Sequence, residues 1–424
     1  MRDLTDADQN QAVLDLATAE LAGNGATADE LAVSYGGSIV AEAIAVARSR
    51  RRLMNLGVPV HLTVVWAMYG ETGRMVTRAE HPHGEDFVRV KVRQLDWLTA
   101  GLPAVTWRII ACDDGCPDEP SSGDLMEIIA AGEGYPGEGH RSVTVLRLTD
   151  MIRSGASISP AFDQLDSTEQ SRKGGSILAA LAAATQTPSQ QSGAGRQIVC
   201  YTDADLSANL AQLGSLAAAI VAGKGTVAAL GQRYGVEGAV LVRAEGPSTE
   251  PKSTGDKPDK VIILFRHFVR ALLIPQLSLV LDTQAGFKAF DAVALAPVLS
   301  QVASVNETFD VELLIRLAQQ YGPENLALEP IVFTEDFAAT NFPSVAPGAR
   351  HLAMVRQIVD VYDRFVARTA PAAGEAADLL DLLRTLDVAG YVRLIERLRD
   401  ADAGDPTLFE RRWPVRILRE MAAG

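Results

Sequence analysis

Four apolar stretches of this chain run directly into carboxylates: "VVWAMYGE" ends on Glu71, "IIACDDG" on Asp113 and Asp114, "IVCYTDADL" on Asp203 and Asp205, and "LVLDTQAGF" on Asp282. Acids gathered at strand ends raise one another's pKa and disfavour ionisation, so stability alone does not account for them. A hard divalent cation would relieve the repulsion. Mg²⁺ takes one or two carboxylates together with phosphate oxygens and water, so an Asp-x-Asp turn suits a metal shared with a diphosphate. A lone Asp-x-Asp is usually a surface turn, but this one follows an apolar strand-like run.

Bringing such ends together requires a sheet. From "HLTVVWAM" onward, short apolar runs ("TWRIIAC", "VTVLRL", "RQIVCYT", "GTVAALG", "KVIILFRHFVRALLI") alternate with helical segments. That alternation predicts βαβ units and an α/β fold with a mainly parallel sheet flanked by helices, where ligands gather at the carboxyl ends of strands. Residues 1–57 read as an N-terminal helical extension, 58–345 as the sheet domain and 346–424 as a C-terminal helical subdomain. The arginine run Arg48 to Arg52 reads as a solvated helix end before the stop signals Gly57 and Pro59. "EHPHGED" (80–86), 187–197 and 245–260 read as loops, the last a candidate lid. Asp118 and Asp291 read as helix caps, and Trp66 and Trp107 as core.

Composition narrows the chemistry. A net charge of -14 over 424 residues would repel a phosphate backbone, which excludes nucleic acid as a partner. Three cysteines without a CxxC pair suit a reducing cytoplasm and neither a zinc site nor a disulfide framework. The amino-terminal residues lack the order of a secretion signal, and Arg266, His267, Arg270 and Pro275 interrupt the longest apolar window. That window allows peripheral membrane contact but not a span. No GxxxxGK[ST], GxGxxG or GxSxG occurs, which weakens kinase, ATPase, dehydrogenase and hydrolase readings.

Taken in order, the segments resemble the family-2 glycosyltransferases of the GT-A fold, in the branch that includes dolichyl- and polyprenyl-phosphate glycosyltransferases. "VVWAMYGE" is similar to that family's V-V-x-P-A-Y-N-E, with Ala67 at its proline and Gly70 at its asparagine. "IIACDDGCPD" resembles I-I-x-V-D-D-G-S-x-D with Cys116 at the serine; "RKGGSI" resembles G-K-G-G-A-V, and "DADL" matches D-A-D-L. "ALGQRY" is similar to the V-I-G-S-R segment, "DTQAGFKAF" to D-T-Q-x-G-F-K-x-F, and "FDVELL" to the phosphoglucosyl branch. The resemblance covers roughly residues 60–335, leaving both helical extensions without a counterpart.

The resemblance implies an inverting glycosyltransferase that uses a UDP- or GDP-sugar and Mg²⁺ or Mn²⁺. It places Ala67, Tyr69, Glu71, Asp113, Asp114, Lys173, Asp203 and Arg233 around the donor nucleotide and Asp205 on the metal. It makes Asp282 the general base for an acceptor hydroxyl, with Glu307 and Asp310 as rivals. With no spanning helix expected, a small soluble acceptor, through a hydroxyl or a thiol, is preferred over a polyprenyl phosphate. The helical extensions could close over that acceptor or build a homodimer. From another class, a nucleotide-sugar-binding module without turnover is the rival reading, motivated by the departures at Ala67, Gly70 and Cys116.

Overall fold

The computed structural model describes residues 2–24, 37–171, 173–186, 195–233, 240–243, 260–274, 280–306, 308–335, 347–400 and 411–423. The chain divides into two compact units: Met1–Thr249 with Ala285–Asn306 and Glu324–Thr340, and Glu250–Gln284 with Glu307–Pro323 and Asn341–Gly424.

The first unit is built on a seven-stranded sheet of order β3-β2-β1-β4-β7-β5-β8. Its strands are β1 (Val60–Met68), β2 (Val105–Asp113), β3 (Ser142–Arg147), β4 (Arg196–Thr202), β5 (Ala228–Gln232), β7 (Phe287–Asp291) and β8 (Leu326–Pro330). Only β7 runs antiparallel to its neighbours, so the expected mainly parallel α/β sheet is present. β6 (Val240–Arg243) and β9 (Val332–Glu335) form a separate parallel pair. The central strands read as near-continuous apolar runs because both faces are covered: Leu62, Val64, Val65 and Trp66 in β1 are all buried. Helix α4 (Phe87–Thr99) turns Val88, Val92 and Leu95 into the same core, and α7 (Gly174–Gln186) packs on β1 and β2. Trp66 and Trp107 are core residues, as expected.

Helices α1 (Ala7–Ala22) and α2 (Gly37–Met54) belong to this unit. Three of the four arginines between 48 and 52 are engaged by acceptors of the chain where the sequence predicts a solvated helix end, while Arg51 is exposed. Arg50 donates to the carbonyls of Trp97 and Ala100, both at 2.7 Å, and lies 4.7 Å over the Trp97 ring. Arg48 donates to Pro330 O at 3.1 Å, and Arg52 reaches the Glu329 carboxylate at 2.9 Å. The guanidinium fork suits these acceptors better than water does, and its stem covers apolar surface.

The second unit is helical among its described residues. "KVIILFRHFVRALLI", expected among the strands, is helix α9 (Lys260–Phe268) continuing into a π-helical turn, Val269–Leu273. Its buried residues Leu264, Phe265, Phe268 and Leu272 recur at helical spacing, which outweighs the β-branched start. Helices α11 (Phe309–Tyr321), α12 (Pro347–Val361), α13 (Glu375–Thr385), α14 (Val388–Asp400) and α15 (Val415–Ala423) complete it. Arg393 and Arg397 of α14 donate to Ala422 O at 2.8 Å and Glu420 O at 2.6 Å, meeting the negative end of α15. Among the described residues no helix is long and apolar enough to cross a membrane. The 245–260 segment, the candidate lid, lies outside the described residues except for Lys260.

Candidate active site

Three of the acidic ends meet because β2, β1 and β4 are adjacent and parallel. Met68 pairs with Asp113, and Val65 with Tyr201, so the segments after all three strands leave the same edge of the sheet.

The Asp-Asp pair after β2 is spent largely on building that edge. Asp113 accepts from the backbone N–H groups of Gly115 (2.9 Å) and Cys116 (2.8 Å) on one oxygen and of Gly123 (2.7 Å) on the other. It thereby ties the turn to helix α5 (Ser122–Gly132). Asp114 accepts from Ser176 Oγ at 2.6 Å and from Lys173 N at 2.9 Å; burial pushes its pKa up, against the pull of these donors. Cys116, in place of the family's serine, lies with its Sγ 3.1 Å from Ser122 Oγ and 3.3 Å from Gly70 N. Asp118 is not a helix cap: it accepts from Thr72 Oγ1 at 2.7 Å, while Ser121 and Asp124 form the capping box of α5. Asp291 does cap α10 (Ala292–Leu299), accepting from Val293 N and Ala294 N.

Lys173 takes a left-handed backbone, φ 76°, which a side chain bears only where its surroundings impose it. The bend aims its N–H at Asp114 and its ammonium at the Asp203 carboxylate, linking two acidic ends. Asp203 in turn lies against Gly286, the glycine of "AGFK", whose carbonyl accepts Asp203 N–H at 3.2 Å. A Cβ at Gly286 would fall far inside van der Waals contact with the Asp203 carboxylate. If Asp203 lines a donor site, as the sequence resemblance implies, Gly286→Ala is expected to displace it and weaken UDP or GDP binding about tenfold, roughly 1.4 kcal/mol, in a calorimetric titration. Unchanged affinity would remove Asp203 from the donor site.

The centre of the cluster is a residue that sequence reading missed. Arg74, on the single turn α3 (Thr72–Met75), lies 2.6 Å from Glu85 Oε1, 3.1 Å from Asp205 Oδ2 and 3.5 Å from Glu71 Oε2. Burial works against its charge, but Asp205, Glu85 and Glu71 outweigh it and hold its pKa above the ordinary arginine value. Burial pushes Glu71 and Glu85 up to about 7 each, with Arg74 pulling both back. Asp205 is likewise opposed by burial, yet Arg74 and Lys91 keep it below the ordinary carboxylate range. Lys91 of α4 is fully buried, and burial brings it down to about 8. Its ammonium has no hydrogen-bond partner among the described residues and lies 5.5 Å from the centre of the Trp66 ring.

Glu85, read as part of an exposed loop, is 3 % exposed; its second oxygen accepts from Leu206 N at 2.9 Å. Four carboxylates (Glu71, Glu85, Asp203, Asp205) thus face three cations (Arg74, Lys91, Lys173), and much of the repulsion expected from sequence is relieved by the chain itself. Among the described residues no group of three or more His, Cys, Asp or Glu is placed to hold a metal ion. Asp205 Oδ1 accepts from Ser207 N at 3.0 Å and keeps a further lone pair, while Oδ2 is paired with Arg74 at 3.1 Å, so a cation shared with phosphate would take its protein ligand from Oδ1.

The remaining expected residues are placed as follows. Tyr69, at the exit of β1, is 53 % exposed, and Ala67 stands two residues before it, beside Cys112 of β2. Arg233 follows β5 at the same sheet edge and lies 4.6 Å over the Phe333 ring. Within the second unit, Asp282 is completely buried and paired with Arg266 at 3.0 Å, and Asp310 accepts from Gln284 Nε2 at 3.1 Å. Glu307 lies outside the described residues.

No family model matches the chain, and no curated protein matches it. Among solved structures it is similar to glucosyl-3-phosphoglycerate synthase of M. tuberculosis, at 16% identity and a TM-score of 0.44, over 75% of this chain and 85% of that one. It is also similar to mannosyl-3-phosphoglycerate synthase of Rubrobacter xylanophilus, at 16% identity and a TM-score of 0.43, over 77% and 79% of the two chains.

Proposed function

We propose that this chain is an inverting, divalent-cation-dependent glycosyltransferase that moves a sugar from a UDP- or GDP-sugar to a small soluble acceptor, with residues 58–345 carrying the reaction. The observation behind this reading is the convergence of Glu71, Asp114, Asp203 and Asp205 with Arg74 and Lys173 at the carboxyl ends of β1, β2 and β4. Ordered motif resemblance over the same segments supports it.

In this reading Glu71 and Tyr69 receive the nucleoside, and Asp203 holds the donor ribose or sugar. Lys173 and Arg233 meet phosphate charge, for which the Arg fork is suited. Mg²⁺ or Mn²⁺, held by Asp205, would stabilise charge developing on the leaving diphosphate. An acceptor hydroxyl attacks the anomeric carbon as a general base takes its proton, and the bond to the nucleoside diphosphate breaks with inversion; the sequence resemblance assigns that base to Asp282.

The test is a thermal-shift titration with UDP and GDP, with and without Mg²⁺ or Mn²⁺, on the native chain and Asp205→Asn. Metal-dependent stabilisation by one nucleotide, lost in the variant, is expected; no stabilisation by either overturns the reading. A nucleotide-sugar-binding module without turnover is the second reading, and the complete burial of Asp282 against Arg266 favours it.

A further inference from the structure

The turn after β4 is held at three residues by polar side chains from other segments. Leu206 N donates to Glu85 Oε2 (2.9 Å), Leu210 N to Gln94 Oε1 (2.9 Å), and Asn209 Nδ2 to Glu42 Oε1 (2.8 Å). Glu42 belongs to α2, and its other oxygen accepts from Arg2 Nε at 2.9 Å. Arg2 also donates to Asn10 Oδ1 at 2.5 Å and to Asp3 O at 3.1 Å. Arg2, Asn10, Glu42 and Asn209 are all 5 % exposed or less. A buried carboxylate divided between an arginine and an amide has one geometry that satisfies both, so the position of Arg2 is transmitted to Asn209. A second tie runs from the next residue: Asp3 Oδ2 pairs with Arg78 at 2.8 Å, three residues beyond the Met75 that ends α3. The first residues of the chain therefore reach both halves of the Arg74–Asp205 pair, the turn that carries Asp205 and the segment that carries Arg74.

We propose that the N-terminal segment is a working part of the donor site, with Arg2 and Glu42 as positioning residues that set the 203–212 turn through Asn209. The idea rests on the glycosyltransferase reading for its functional consequence but not for its mechanics.

Hydrogen–deuterium exchange on Arg2→Met, Arg2→Lys and Glu42→Gln, with UDP and GDP titrations at a temperature where each is folded, tests it. In Arg2→Met the amides of 206–212 are expected to exchange at least about tenfold faster while those of β1 and β2 keep their rates. The affinity for whichever nucleotide binds should fall by a similar factor, and Arg2→Lys should recover part of both. Glu42→Gln, whose oxygen can stay on Arg2 while its amide nitrogen cannot accept from Asn209, leaves the Asn209 bond from Ala211 N in place; it should loosen 206–212 without loosening 2–22, and it carries the test if Arg2→Met does not fold. Wild-type exchange over 206–212 in these variants, with only residues 2–22 loosened, overturns the proposal. If 206–212 loosen but neither nucleotide binds the native chain, the positioning link stands and the glycosyltransferase reading falls.

Discussion

Arg74→Met is expected to destabilise the protein by about 3–5 kcal/mol, the usual consequence of removing one partner from a buried charged group. The loss should grow with pH. Asp205 has its pKa lowered in the fold, largely through Arg74 and Lys91 acting against burial, so its contribution is present above the unfolded carboxylate range and lost as pH falls through the folded value. It is therefore already fully expressed near pH 5. Glu71 and Glu85 behave oppositely: their folded values are about 7, above the unfolded value, so the native state holds more protons and stability falls as pH rises from about 4.5 towards 7. Arg74 restrains both. Without it the two carboxyls stay protonated to higher pH, and the window over which the variant loses stability widens. Urea unfolding at pH 5.5 and pH 8 measures this directly: a larger deficit at pH 8 is expected. An equal deficit at both values would mean that Arg74 acts through Asp205 and packing and does not restrain Glu71 and Glu85.

The same cluster shows which features can be read locally. "DADL" and "CDDG" were recognisable because each packs its chemistry into consecutive residues, and the fold places them at the ends of β4 and β2, on either side of β1. "AGFK" was legible as a motif, yet its reason, the close approach of Gly286 to Asp203, needed coordinates. Arg74 was missed because a single basic residue three positions after Glu71 has no signature; its partners Glu85 and Asp205 come from segments 11 and 131 residues on. Glu85 was hidden by its neighbours, since "EHPHG" has the composition of an exposed turn although the chain dives inward immediately afterwards. Lys91 sits in "FVRVKVRQL", where basic residues alternate with valines and nothing local separates the buried cation from half-buried Arg89 and exposed Arg93 on either side. Periodicity reports which face of an element is apolar, but not which charge will be met by a charge from elsewhere in the chain.

Asp282→Asn is expected to lower both turnover and stability, and the two losses have different remedies. As general base, Asp282 would contribute about 10²–10⁴-fold to transfer. As a residue with no exposure, 3.0 Å from an Arg266 that is itself 2 % exposed, it also balances a buried charge; asparagine keeps the shape but removes the negative charge beside the guanidinium, costing about 3–5 kcal/mol. Its Oδ1 further accepts from Gln284 N at 3.0 Å, a bond that an asparagine oxygen can keep. Arg266→Met combined with Asp282→Asn removes both charges and should restore stability to within about 1–2 kcal/mol of the native chain, since replacing a whole buried pair is often close to neutral. Turnover should not return with it if Asp282 accepts the proton. Recovery of turnover in the double variant would make Asp282 a structural counter-ion. The base would then be sought at Asp310, whose carboxylate is 3 % exposed and tied to the same segment through Gln284. Stability of the single variant measures the ion pair, and turnover of the double variant measures the base.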